Sequence, residues 1–244
     1  PLPPFGIDRL EPQWTGGDLF VRIASDDPMT VAHAQRMLLK DARSFTQPHW
    51  IQPGFRRAAG TTQQGSSMRN LFGQVDGTVN PTQDAEFERL VWSRDGWVAG
   101  GTSMVVRRIH MDLDKWDRLD RSGREQSIGR TLESGAPLTG THEYDAPDFS
   151  ATHPNGFPVI PEFAHIRRAR GSGGVPQILR QPYNYEDGPH AGSVSNAGLI
   201  FVSYQVNPVA QFVPMQRRLD ELDLLNEWTT PIGSAVCAIP PGCA

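Results

Sequence analysis

Cysteine is almost absent from the chain: it holds two, Cys237 and Cys243. At 244 residues a core can be buried without disulfide staples. The pair fits neither a Cys-x-x-Cys redox motif nor a zinc pattern, so a small loop disulfide or plain thiols are expected rather than a catalytic role. No apolar run approaches the roughly 20 residues of a membrane span, and no export signal stands at the start. Basic blocks are missing too. The pairs Arg56–Arg57, Arg107–Arg108, Arg167–Arg168 and Arg217–Arg218 are scattered through a chain of formal net charge -4, so nucleic acid is not an expected partner. There is no Walker loop, no Gly-x-Ser-x-Gly elbow, no dinucleotide fingerprint and no His-x-x-x-His pair. An initiator methionine is also lacking, and the Pro1 start reads as a processed or shortened one.

Glycine and proline, in contrast, are frequent (24 and 21), which predicts short elements joined by shaped loops rather than a helical bundle. Asp18–Ala24 alternates Leu19, Val21 and Ile23 with Phe20, Arg22 and Ala24, the period of a strand with one face in a core. Asp27 then caps a predicted helix with Pro28 at its first position and an apolar stripe of Val31, Ala34, Met37 and Leu38. Ser103–Leu113 reads as a long strand and Lys115–Leu132 as one or two amphipathic helices. Gln177–Tyr185 and Leu199–Val206 read as strands paired antiparallel across a long connection. Pro214 opens a last helix, and Ser234–Ile239 is a final strand. Arg56–Phe72 and Gly135–Phe163 fit no regular element, and loops of that length are usually functional or disordered. The sum is an α+β fold, antiparallel sheets covered by helices.

Three places carry candidate chemistry. Phe72–Pro81 flanks the single carboxylate Asp76 with Gly73 and Gly77. Asp-Gly is a common turn dipeptide, yet the same glycines would let the backbone lie close to a flat ligand while presenting Asp76 to it. His165 stands at the end of the Pro-rich loop, before Arg167 and Arg168, which could meet anionic groups; a lone His is otherwise more often a satisfied core or surface residue. Arg180 sits in an apolar strand, where it either points outward or meets an anion. The same loops leave a His and Asp metal site open, although His153, His165 and Asp76 lack zinc-like spacing.

In order and wording these motifs resemble the dye-decolourising peroxidase family, closest to its exported bacterial branch. The likeness runs from Trp14-Thr-Gly-Gly-Asp-Leu19 through Arg69-Asn-Leu-Phe-Gly-Gln-Val-Asp-Gly-Thr-Val-Asn-Pro81, Ile128-Gly-Arg130, Gly135-Ala-Pro-Leu138, Ala164-His-Ile-Arg167, Ile178-Leu-Arg180 and Gly198-Leu-Ile-Phe201 to Pro240-Pro-Gly242. It implies two ferredoxin-like halves of the dimeric α+β barrel type: residues 1–100, including the Gly-x-x-Asp-Gly loop, and residues 101–244, which would bind haem b. It implies a haem peroxidase that reduces hydrogen peroxide and oxidises dyes, phenols or similar organic donors through a ferryl intermediate. His165 would be the axial iron ligand, with Asp76 and Arg180 facing the peroxide. Gly77 would lie against the cofactor, Arg167 would meet a propionate, and Asp223 would hold the axial His, although Asp220 and Glu221 lie close by. Tyr183, Tyr185, Trp92, Trp97 and Trp228 are the aromatic relays available to bulky donors.

Two departures stand out. Much of the family's first half is missing before Asp18, which raises the expectation of a separate polypeptide or another subunit that completes it. Gln181 stands where relatives of this branch commonly place another Arg. The same resemblance also allows a haem-binding or haem-handling subunit with little turnover, and a bland interaction domain without cofactor remains the third reading. The expected compartment is extracytoplasmic, secreted or periplasmic, with the cytoplasm as the alternative.

Overall fold

A computed structural model of the protein describes residues 1–57, 60, 66–170, 177–189 and 192–242. Along the chain run α1 (Pro28–Ala42), β1 (Met68–Arg69), β2 (Val75–Asp76), α2 (Asp84–Leu90), β3 (Thr102–Met111), α3 (Leu113–Trp116) and α4 (Arg121–Ile128). They are followed by α5 (His165–Arg170), β4 (Leu179–Arg180), β5 (Tyr183–Glu186), β6 (Ala197–Gln205), α6 (Phe212–Leu222) and β7 (Thr229–Ile239). None of the described helices is long and apolar enough to cross a membrane.

The centre of the molecule is β3. Met104, Val105 and Val106 are each 3% exposed or less, so both faces of this strand are covered at its centre, as three consecutive apolar residues require. It pairs antiparallel with β6 on one side and β7 on the other, and the sheet order is β4-β6-β3-β7, with β5 also on β6. The predicted strand over Gln177–Tyr185 divides into β4 and β5 at Gln181–Pro182, since Pro182 has no N–H to give to the ladder. At Gly198 a Cβ would stand 2.1 Å from the Ile109 carbonyl oxygen and 2.5 Å from the Tyr185 ring, so only glycine lets β5, β6 and β3 meet there.

One face of the sheet packs Val105 against Phe212, Val213 and Met215 of α6, while Met111 joins Phe72, Trp116, Ile128 and Trp228. On the other face Met104, Val106, Tyr185, Ile200 and Val202 cluster, with Phe20 and Trp50 packed on them. The N-terminal segment is tied to that second face by Arg108, whose guanidinium lies 4.1 Å from both the Trp14 and Tyr185 ring centroids and bonds Gln52 and Asp187. Such stacking satisfies a buried cation on its flat faces as well as its edges.

The expected strand at Asp18–Ala24 is not formed: these residues are irregular, and Leu19 and Val21 are 72% and 54% exposed. Of the segment only Phe20 and Ile23 are partly buried. Phe20 packs on Trp50, while Arg22 donates to Gln181 at 2.6 Å and lies over Tyr204. No neighbouring strand among the described residues offers it a ladder, and alternation without a ladder does not make a strand. Helix α1 starts as its sequence dictates, with the Asp27 carboxylate accepting from Met29 and Thr30 N–H, yet none of its residues is buried. Cys237 lies in β7 as a free thiol, and Cys243 falls outside the described residues.

Candidate active site

A cavity of about 230 Å³ opens between the α5–α6 side of the sheet and the Phe72–Val79 loop. His165, Asp76, Gly77, Arg180 and Asp223, far apart in sequence, all line it, with Ile109, Met111, Leu199, Phe201 and Met215 among its apolar wall.

His165 is the first residue of α5, which packs against α6. Its Nδ1 stands 2.6 Å from Asp223 Oδ2, and Asp223 is 3% exposed. The other Asp223 oxygen accepts the Leu225 N–H, so the carboxylate is held from two directions. Burial works against a charged imidazole here, but the charge and hydrogen bond of Asp223 outweigh it and raise the His165 pKa above the ordinary histidine value. The ring is nevertheless 29% exposed, and that exposure faces the cavity. Nε2 has no hydrogen-bond partner among the described residues, so it is the imidazole atom available to a ligand. The neighbouring acids have other tasks. Asp220 accepts the Gly6 and Ile7 N–H groups, and Glu221 pairs with Arg168.

Asp76 ends β2, which forms a small hairpin with β1. Gly77 follows at φ +104°, a conformation that turns the chain away immediately after the carboxylate and that side chains resist. No atom lies within 4 Å of where a Gly77 Cβ would sit, so it is the backbone angle and not crowding that calls for glycine. Arg180 turns inward from edge strand β4, and its NH1 stands 3.3 Å from Asp76 Oδ1. The turn of this hairpin lies at residues 70–74, so the Asp-Gly step is not the hairpin turn: it follows the strand and presents Asp76 to the cavity.

The arginines of the site are distributed differently from expectation. Arg167 does not line the cavity: it donates to the carbonyls of Ile160 and Phe149 and pairs with Glu162, bracing the 147–162 loop. Because α5 is helical, His165 shares its face with Ala169, and Ile166 with Arg170, and these four line the cavity while Arg167 and Arg168 do not. Arg170 stands one helical turn after Ile166, whereas spacing of three or four from His165 reaches Arg168 and Ala169. Arg130 also lines the cavity at 5% exposure, with NH1 on the Gly135 and Glu143 carbonyls and no carboxylate within ion-pairing distance among the described residues. Burial pulls its pKa below the usual arginine range, Arg170 and Arg180 act in the same direction, and Glu143 offsets them in part. Its signal in sequence was the Ile128-Gly-Arg130 motif, where Gly129 ends α4 in the left-handed region and delivers Arg130 inward. Gln181 lies on another wall of the sheet, bound to Arg22.

Comparison with known proteins gives a consistent picture. A family model described as "Dyp-type peroxidase, C-terminal" matches residues 67–244, and "Dyp-type peroxidase, N-terminal" matches residues 1–56. Both fall in this one chain, and no support emerges for a separate companion polypeptide. The chain is 40% identical over 249 residues to a dye-decolorizing peroxidase of Thermobifida fusca (strain YX), covering 98% of this chain and 58% of that protein. It is 33% identical over 251 residues to a deferrochelatase of Yersinia pestis, covering 98% of this chain and 57% of the relative. The chain therefore spans somewhat more than half the length of these relatives. The crystal structure of a DyP-type peroxidase from Cellulomonas bogoriensis superposes with a TM-score of 0.95 at 54% identity, over 100% of this chain and 68% of that one. The α+β, ferredoxin-like fold is shared.

Proposed function

Because the chain belongs to the Dyp-type peroxidase family, we propose that it binds haem b in this cavity and reduces hydrogen peroxide at the expense of an organic donor such as a dye or phenol. The observation that carries the reading is the convergence of His165, its Nε2 unpartnered among the described residues, and the Asp76–Arg180 pair on one apolar-walled cavity. The donor set suits the group. An imidazole nitrogen is available for iron, and Arg130 is a buried cation with no carboxylate in ion-pairing distance among the described residues, as an anionic cofactor edge requires. His165 would hold the iron through Nε2, and Arg130 with Arg170 would meet the propionates.

Bound haem supplies the redox-active iron at which peroxide accepts electrons. The residues supply the rest. Asp223 accepts the Nδ1 proton of His165, fixes its tautomer and makes Nε2 a stronger donor. Asp76 takes a proton from one peroxide oxygen and returns it to the other, so that the departing oxygen leaves as water. Arg180 stays charged throughout and stabilises negative charge that develops as the O–O bond breaks. The apolar side chains of the wall lower the local dielectric, which strengthens both effects.

The test uses haem-loaded protein. Replacing Asp76 by Asn should leave the Soret band intact and slow peroxide-driven dye oxidation by roughly 100-fold or more; an unchanged rate discards the proton-transfer role. Replacing His165 by Ala should abolish haem retention, and normal retention would show another ligand. The 33% identity to a protein named deferrochelatase favours haem handling as the second reading. Iron-free porphyrin accumulating on incubation with haem, without peroxide-dependent dye loss, would select it.

A further inference from the structure

Arg180 is useful to Asp76 only if two short, separate pieces of chain are held together, and the structure contains a device for that. Within the edge strand β4, Gln181 N–H bonds the Val202 carbonyl of β6, so the backbone N–H and C=O of Arg180 face away from the sheet. Both are taken by one side chain. Asn80 Oδ1 accepts the Arg180 N–H at 2.8 Å, and Asn80 Nδ2 donates to the Arg180 carbonyl at 3.0 Å. The same Nδ2 also lies 3.3 Å from the carbonyl of Gly77, the residue after Asp76. A primary amide is the group that matches a peptide's donor and acceptor in one plane, and here it acts as a one-residue substitute for a neighbouring strand.

We propose that Asn80 is the positioning residue of the peroxide-facing pair: it fastens the Asp76 loop to β4 across 100 positions of sequence and sets the approach of the Arg180 guanidinium to the Asp76 carboxylate. It touches neither substrate nor cofactor and acts through Asp76 and Arg180. This inference rests on the peroxidase reading of the site. It assigns to Asn80, the end of the Gly-rich loop, a task beyond turning the chain. β2 and β4 contribute two residues each, so they have little ladder of their own with which to hold the pair in register. Misplacement of reacting groups by about 1 Å costs on the order of 100-fold in rate, which sets the scale of the expected effect.

The experiment compares Asn80→Ala and the isosteric Asn80→Asp with the parent and Asp76→Asn, all haem-loaded. Asn80→Asp keeps an acceptor for the Arg180 N–H and loses the donor to the Arg180 and Gly77 carbonyls. Stopped-flow measurement should show the bimolecular rate with hydrogen peroxide falling roughly 10- to 100-fold in both variants, since Asn80→Asp sets a carboxylate oxygen against the Arg180 and Gly77 carbonyls. The rate of donor oxidation after peroxide has been consumed should stay within about twofold, as should haem content. Hydrogen exchange on the haem-free protein supplies an activity-independent measure: faster exchange should be confined to peptides around 70–80 and 178–181. A peroxide rate within twofold of the parent in both variants overturns the proposal. So does a loss of both rates in step with thermal stability, which is what a purely structural Asn80 predicts. Should Asn80→Ala fail to load haem, Asn80→Asp decides by the same criteria. If Asp76→Asn leaves the peroxide step unchanged, it is the underlying reading that fails, and the exchange data still judge the clamp.

Discussion

Asp223 Oδ2 sits 2.6 Å from His165 Nδ1 while Asp223 Oδ1 takes the backbone N–H of Leu225. One nearly buried carboxylate therefore both orients the imidazole and starts the short turn Leu224–Glu227. Asp223→Asn keeps an acceptor for that turn and removes the negative charge from the imidazole. Haem affinity is expected to fall about 10- to 100-fold, measured by titrating haem into the haem-free protein. Asp220→Asn, which touches Gly6 and Ile7 instead, should leave that affinity unchanged.

Arg130 and Arg167 give opposite expectations. Arg130→Ala removes a buried cation from the cavity wall and should weaken haem retention by about tenfold, a change of ~1.4 kcal/mol. Arg167→Ala should leave retention within about twofold yet lower the melting temperature, because it undoes contacts to Ile160 and Phe149 worth about 2 kcal/mol together. Haem transfer to a scavenger protein and thermal melts separate the two.

Tyr185 has a fully buried hydroxyl without a hydrogen-bond partner among the described residues, and burial pushes its pKa up to about 12. Its folded value lies above the unfolded value of 10.0. The stability it contributes is therefore complete below that lower value and is lost as pH rises towards about 12. Tyr185→Phe keeps the stack on Arg108 and removes the orphaned hydroxyl, so melting at neutral pH should be unchanged or raised, by up to about 1 kcal/mol. The variant should also lose stability less steeply through alkaline pH, as followed by circular dichroism. A phenol with no proton acceptor is a poor electron relay, which sets Tyr185 apart from the other aromatic candidates.

Gly198→Ala should fail to give a folded, haem-binding protein. Its Cβ would meet the Ile109 carbonyl and the Tyr185 ring, both held by the sheet. Far-ultraviolet dichroism and the soluble yield are the measurements.

Much of this was legible in the residues. β3, β6 and the cap at Asp27 followed from periodicity and capping chemistry, while the convergence of Asp76, His165 and Arg180 was implied only by the resemblance to the dye-decolourising peroxidase family. What escaped had a physical cause in each case. Asp18–Ala24 has strand alternation without a partner, and pairing is a property of two segments. Arg170 was hidden because neither adjacency to His165 nor a spacing of three or four from it reaches that position; it lines the cavity beside Ile166, one turn earlier. Asn80 reads as a turn residue in one dimension, and its partner is 100 positions away.

The order of strands carries a last implication. The central strand β3 finds both neighbours, β6 and β7, only downstream, the second ending at Ile239. On the ribosome β3 emerges long before either, with apolar side chains on both faces and two open edges. Its closure waits on contacts of high sequence separation, which are slow to form. Chaperone demand and the timing of cofactor capture should thus both be governed by the emergence of Thr229–Ile239, an element that contributes little to the chemistry of the pocket.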